Sequence, residues 1–218
     1  MSGETTIEEL LALRARGGVI AFPTESSYGL GVDPHNAAGV AAVERIKRRN
    51  GSEEDSGSER KPLPVVVADL SQLGALGIDP DSEVVRRLAP LWPAPLTAVL
   101  PLGDGVELPA AAGRRTLAVR IPDHTELRSL LAAIGPLTAT SANRTGEPPL
   151  LDARDVAALL TDAGDVEFAV VAGKAPGGPP STLVESFGDQ IRILRQGPFP
   201  AERLLGLPAS LSSSRGEA

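Results

Sequence analysis

Three cations in this 218-residue chain sit where a charge needs a reason. In "TLAVRIP" the alternation of a strand puts Leu117, Val119 and Ile121 on one face and Thr116, Ala118 and Arg120 on the other. A guanidinium on a sheet face requires either solvent or a cleft that holds an anion, because burying it unpaired is costly. Arg195 continues the apolar stripe of Ile191 and Ile193 in "QIRILRQG", as a snorkelling side chain or as an anchor for an anion. Lys47 follows Val43 by four residues and Val40 by seven, so all three share one helical face, whereas Arg49 is rotated away. The same two readings apply to Lys47.

Hydroxyl and amide groups cluster where strands end. "FPTESSYGLG" leaves the apolar run Val19–Phe22 with the hydroxyls of Thr24, Ser26, Ser27 and Tyr28, the carboxylate of Glu25, and Gly29 and Gly31. Such a stretch suits a surface turn and equally the wall of a site. "TATSANRTG" carries Ser141 and Asn143 out of another strand, at the carboxyl end where open α/β sheets bind ligands; a helix cap or Asx turn would use the same residues. Ser181 and Thr182 in "PPSTLVE" pose the same choice.

The rest of the sequence removes whole classes of chemistry. It has no cysteine and only His35 and His124, which leaves neither a disulfide framework nor a thiolate or histidine metal site. GxxxxGK[ST], GxGxxG and GxSxG are all missing, so phosphates, if bound, must be held by lysine and arginine side chains rather than by a glycine loop. A formal charge of −7 argues against coating nucleic acid by bulk positive charge, and any anion must meet a focused cationic site. No apolar run approaches the roughly 20 residues that span a bilayer, and the acidic, polar "MSGETTIEEL" does not read as a signal peptide. The expectation is a cytoplasmic protein with no membrane contact.

Positioning these residues calls for alternating elements. The core must be built from Val, Leu, Ile and Ala, because the chain has four Phe, one Tyr and one Trp, and that composition suggests α/β layers. Thr5 and Glu8 have capping-box spacing ahead of Leu10, Leu11 and Leu13, with Gly17-Gly18 as the stop. Asn36 caps a second helix through Val40, Val43 and Ile46 that ends in "KRRN". "LPVVVADL", "LTAVLPL", "TLAVRIP", "PLTAT", "FAVVAG", "STLVES" and "QIRILRQG" read as strands, and 81–88, 126–134 and 153–160 as helices. The prediction is a single α/β domain over 1–208: one twisted, mixed sheet with helices on its faces around a basic cleft. Within it "GSEEDSGSE", 51–59, reads as a flexible acidic insertion, and 209–218 as a disordered tail.

Taken in order, "FPTESSYGLG", the Lys-x-Arg of "IKRR", "KPLPVVVAD", "LWPAPLTAVL", "LAVRIPDH", "TATSAN", "PSTLVE" and "ILRQG" resemble the YrdC-type threonylcarbamoyl-AMP synthases, in their short form without a further C-terminal domain. The resemblance implies a nucleotidyl transfer: ATP, L-threonine and bicarbonate give threonylcarbamoyl-AMP and pyrophosphate, for threonylcarbamoyladenosine modification of tRNA. It implies Mg2+ with the ATP and, as partners, a tRNA-modifying threonylcarbamoyl transferase complex and tRNA or double-stranded RNA. By position, Lys47 and Arg49 match the catalytic pair that meets the ATP phosphates. Ser141, Asn143, Arg195 and Thr116 match nucleotide contacts, while Arg120, Ser181, Thr140 and Ser26 match the threonine site. Ser26 stands where the family usually has the second threonine of "PTET". Thr24 and Tyr28 would line the site. Two alternatives stay open: a family-like protein that binds RNA or nucleotide without forming the adenylate, and a carbamoyl-adenylate enzyme acting on another amino compound.

Overall fold

The computed structural model describes residues 5–48, 60–187 and 190–205. Arg49, the 51–59 insertion and the 209–218 tail lie outside these residues. The first helix, α1 (Ile7–Ala15), is capped by Thr6 rather than Thr5: Thr6 Oγ1 accepts from the Glu9 amide and Glu9 returns the bond to the Thr6 amide. The capping box is therefore present, one residue later than its spacing suggested. A buried strand, β1 (Val19–Pro23), turns back as β2 (Tyr28–Gly31). Asn36 caps α2 (Ala37–Lys47), whose Val40, Val43 and Ile46 are buried.

The predicted strand "LPVVVADL" shrinks to β3 (Val65–Val66). Its continuation is drawn off the sheet by side-chain bonds: Gln72 Oε1 accepts from the Ala68 amide, and Asp69 Oδ1 from the Ser71 amide. Next come α3 (Glu83–Leu88), β4 (Leu96–Pro101) and β5 (Thr116–Arg120). Helix α4 (Thr125–Ile134) begins at an unusual cap, His124, whose Nδ1 accepts from the Leu127 amide. "PLTAT" divides into β6 (Leu137–Thr138) and β7 (Thr140–Ser141). The chain finishes with α5 (Ala153–Asp162), β8 (Phe168–Val170), β9 (Thr182–Phe187), β10 (Gln190–Arg195) and α6 (Glu202–Leu205).

The α/β prediction holds for one domain, but the strands form two mixed sheets rather than one. Their orders are β7-β2-β1-β8 and β10-β9-β4-β5-β3-β6. β6 and β7, separated by Ala139 alone, belong to different sheets. Ala139 donates its amide to Pro64 O on one side, Ala142 donates to Tyr28 O on the other, and Thr138 closes both its amide and its hydroxyl onto Val32. One sequence segment thus stitches the sheets together. The main core fills the space around them with Val, Leu, Ile and Ala, and a second cluster lies under α1 and α4.

Two glycines of the opening stretch are there for space. A Cβ on Gly29 would come within 2.9 Å of the Phe22 ring, and one on Gly31 within 2.6 Å of it and 2.9 Å of Thr138 O. Among the described residues no helix is long and apolar enough to cross a membrane.

Candidate active site

The turn between β1 and β2 is organised by Thr24. Its hydroxyl donates to Ser27 O at 2.8 Å and accepts from the amides of Ser26 and Ser27 at 3.1 and 3.3 Å. This hydroxyl is spent on the backbone, so Thr24 shapes the wall of the site rather than offering it a free group. Ser26 Oγ is 3.3 Å from Thr24 Oγ1 and is half-buried, which leaves it bonding capacity towards a ligand. Tyr28, expected as a lining residue, is a core residue instead. It is fully buried, with its hydroxyl 2.9 Å from both Val171 O and Gly173 O, and burial, assisted by Asp152, raises its pKa.

Hydrogen-bonded pairing carries the turn into a second group of residues. Gly29 faces Ser141 across β2 and β7, and Lys47, at the last position of α2, points at that segment. Lys47 Nζ donates to Ser141 O at 2.7 Å, to Ser141 Oγ at 3.3 Å and to Asn143 Oδ1 at 2.5 Å. Ser141 Oγ also donates to Asn143 Oδ1, at 2.6 Å, and Asn143 Nδ2 to Glu147 O, at 2.5 Å. The Lys47 carbonyl in turn accepts from the Thr145 amide. Snorkelling is ruled out: this ammonium faces inward, and burial lowers its pKa to about 8. Beside it lies a cavity of ≈ 290 Å³ lined in part by Glu44, Lys47, Arg48, Arg60, Lys61 and Thr140. Thr140, assigned by resemblance to the amino-acid site, therefore faces the space shared by Lys47 and its cationic neighbours. Arg49 lies outside the described residues.

A third group forms on the six-stranded sheet. Arg120 ends β5 and is 9% exposed, so the solvated-face reading does not hold and its guanidinium is buried. It forms an ion pair with Glu25, in the turn. Burial pulls its pKa down, Glu25 supports the charge and nearby Arg195 opposes it. Arg195 leaves the stripe it was expected to continue: a register shift between Ile193 and Arg195 displaces it, and Ile193 itself is exposed. Its Nε and Nη2 donate to Ser181 O at 3.2 and 2.9 Å, and the Ser181 and Thr97 hydroxyls are hydrogen-bonded to each other at 2.7 Å. Thr116 shares the face of Arg120 but lies at the other end of β5, roughly 13 Å back along the strand. It does not join the cluster.

Several contributors escaped the sequence reading, Arg48 and Arg60 beside Lys47 among them. Glu25 was visible only as one carboxylate in a polar turn. Thr97 looked like any strand residue. Lys61 opens "KPLPVVVAD" and could have been taken from that block. Gly197 is pressed against the backbone next to Ser181, where an added Cβ would meet Pro180 O at 2.3 Å. A larger cavity, ≈ 760 Å³, opens between α1, α4 and β8; residues such as Leu10, Phe22, Leu127 and Val170 give it an apolar wall, and it contains none of the candidate residues.

Known proteins share this arrangement of elements and blocks. The Sua5/YciO/YrdC family model, described as "Telomere recombination", matches residues 12–197. A Chromohalobacter salexigens protein named threonylcarbamoyl-AMP synthase is 37% identical over 179 residues, 81% of this chain and 90% of its own length. A Bacillus subtilis protein of the same name is 32% identical over 217 residues, covering 99% of this chain and 60% of its own. Among solved structures, P. abyssi Sua5 complexed with L-threonine superposes with a TM-score of 0.75 at 30% identity, over 92% of this chain and 57% of that one. With most of its length matched by the family model and by relatives above 30% identity, the chain belongs to the Sua5/YciO/YrdC family.

Proposed function

We propose that this protein is a threonylcarbamoyl-AMP synthase, joining ATP, L-threonine and bicarbonate to give threonylcarbamoyl-AMP and pyrophosphate. The observation that carries the reading is the position of the hydroxyl turn. One side of it meets a buried guanidinium, Arg120, through Glu25, and four residues further on it pairs with the segment that holds Lys47. A carboxylate receptor and a phosphate receptor thus flank one wall. Relatives named threonylcarbamoyl-AMP synthase, and a Sua5 structure holding L-threonine, support the same assignment.

The residues suit a reaction that needs little acid–base catalysis. The amine of threonine adds to carbon dioxide derived from bicarbonate, forming a carbamate and releasing a proton. A carbamate oxygen then attacks the α-phosphorus as the bond to pyrophosphate breaks. Charge develops on phosphate oxygens, where fixed cations are effective, and Lys47, Arg48, Arg60 and Lys61, which line one cavity together with Glu44, are suited to supply them. Lys47 must leave Ser141 and Asn143, or share them, to do this, and those two residues then become free to donate to the nucleotide. Arg120 is suited to clamp the threonine carboxylate through paired N–H groups, with Ser26 and Ser181 nearby as hydroxyl contacts. Such positioning alone accounts for large rate gains in bond-forming steps. Among the described residues no three His, Asp or Glu side chains stand together to hold a metal ion. Magnesium is accordingly taken as part of the MgATP substrate, held by phosphate oxygens and water. A cytoplasmic role, with the adenylate passed to a tRNA-modifying transferase, completes the reading.

The test is pyrophosphate release from ATP, bicarbonate and magnesium with and without L-threonine, together with identification of the adenylate. Threonine-dependent pyrophosphate and threonylcarbamoyl-AMP are expected. ATP binding with no threonine-dependent pyrophosphate would leave a nucleotide-binding protein, and turnover with another amino compound alone would leave a different carbamoyl-adenylate enzyme.

A further inference from the structure

Glu25 occupies the guanidinium that an amino-acid carboxylate would need. Its carboxylate pairs with Arg120 Nη2. Apart from each other, Arg120 Nε and Nη2 and both Glu25 oxygens are buried with no hydrogen-bond partner among the described residues. The pair is balanced in charge and short of hydrogen bonds, which is an unfavourable resting condition for buried polar groups and leaves both partners able to bind something more.

A ligand carboxylate arriving at Arg120 meets the Glu25 carboxylate in a largely buried setting. Two like charges there repel strongly, so a ligand that brings only a carboxylate either displaces Glu25 into an unpaired state or shares the guanidinium against that repulsion. A ligand that also carries a cation one carbon from its carboxylate resolves the conflict: the carboxylate takes Arg120 and the cation takes Glu25. An α-amino acid in its zwitterionic form has this geometry. We propose that Glu25 receives the α-ammonium of the amino-acid substrate, so that Arg120 and Glu25 together read a zwitterion and turn away carboxylates that lack an amine. The inference rests on the reading that this site takes an amino acid. It adds a residue that selects for the amine, on which the carbamate forms once the bound ammonium has given up its proton to solvent.

The experiment measures binding of two ligands to the full chain by calorimetry: L-threonine, and (R)-3-hydroxybutanoate, which keeps threonine's carboxylate and hydroxyl and lacks the amine. The wild-type protein should bind threonine and discriminate strongly against 3-hydroxybutanoate. In Glu25→Gln threonine affinity should fall by roughly tenfold to a hundredfold, the worth of a hydrogen bond to a charged group, while 3-hydroxybutanoate binds as well as before or better. Glu25→Asp should keep the discrimination. Because partial unfolding lowers both apparent affinities by one factor, the ratio within a single sample is the readout. An unchanged ratio in Glu25→Gln, whether both affinities fall or neither does, would mean that Glu25 merely steadies Arg120 and would overturn the proposal. So would equal binding of the two ligands by the wild-type protein, which needs no variant. Failure of the wild-type protein to bind threonine at all would instead bring down the synthase reading, and this one with it.

Discussion

At the residue scale the decisive side chain is Lys47, because its charge is conditional. Burial lowers its pKa from 10.5 to about 8. The unfolded chain therefore holds that proton more tightly between these values, and stability rises with pH across the window as the cost of a buried charge is relieved. Anion binding moves the other way, since a phosphate needs the ammonium. ATP affinity should thus weaken as pH rises past about 8, and Lys47→Arg, which stays charged, should flatten that profile; titrations at pH 7 and pH 9 check both. Arg120→Ala should weaken threonine binding much more than ATP binding, by roughly a hundredfold or more if a charged bidentate contact is lost. Equal losses would deny it the carboxylate. Lys47, Arg120 and Arg195 could be singled out from sequence because each is a charge set in an apolar pattern, and Ser141 and Asn143 because they leave the carboxyl end of a strand in a loop dense with hydroxyl and amide groups. What each one touches could not. The Lys47–Asn143 and Glu25–Arg120 contacts join residues far apart in the chain, and no local spacing encodes them.

At the scale of elements, legibility followed how local the forces are. α1, α2 and α5 are set by caps and by the spacing of apolar residues, and their positions were read to within a residue or two. The strands around Val65 and Leu137 were read too long, because side-chain bonds from Gln72 and Asp69 and the handover at Ala139 end the ladders early. Arg195 was misplaced for a similar reason: a bulge has no signature in an alternating pattern. Glycines carry a testable part of this level. Gly31→Ala would push a methyl into the Phe22 ring and Thr138 O and should destabilise the fold by about 1–3 kcal/mol, measured by urea unfolding. Gly197→Ala presses on the backbone at Ser181 instead. It should raise the KM for threonine with a smaller effect on that for ATP, seen in steady-state pyrophosphate release.

For the whole molecule, an acidic chain with a formal charge of −7 gathers Lys47, Arg48, Arg60 and Lys61 around one cavity. Net charge alone would have hidden this focusing. The α/β class was legible from composition and alternation, whereas the division into two sheets was not, since the break falls inside the apparent strand "PLTAT". That break bears on how the protein opens. Thr138, Ala139 and Ala142 hold both sheets with their amides, and Ser141 and Asn143, in and just after this segment, supply the oxygens that Lys47 grips among the described residues. Pulling this segment away as a whole would also unzip the two sheets, so Lys47 can leave it for a phosphate only by turning its own side chain, and opening of the segment is one event with global unfolding. The amides of Thr138, Ala139 and Ala142 should accordingly be among the slowest in the molecule to exchange with deuterium, at a rate set by the full unfolding free energy, and saturating ATP should slow them further, in step with its effect on the melting temperature.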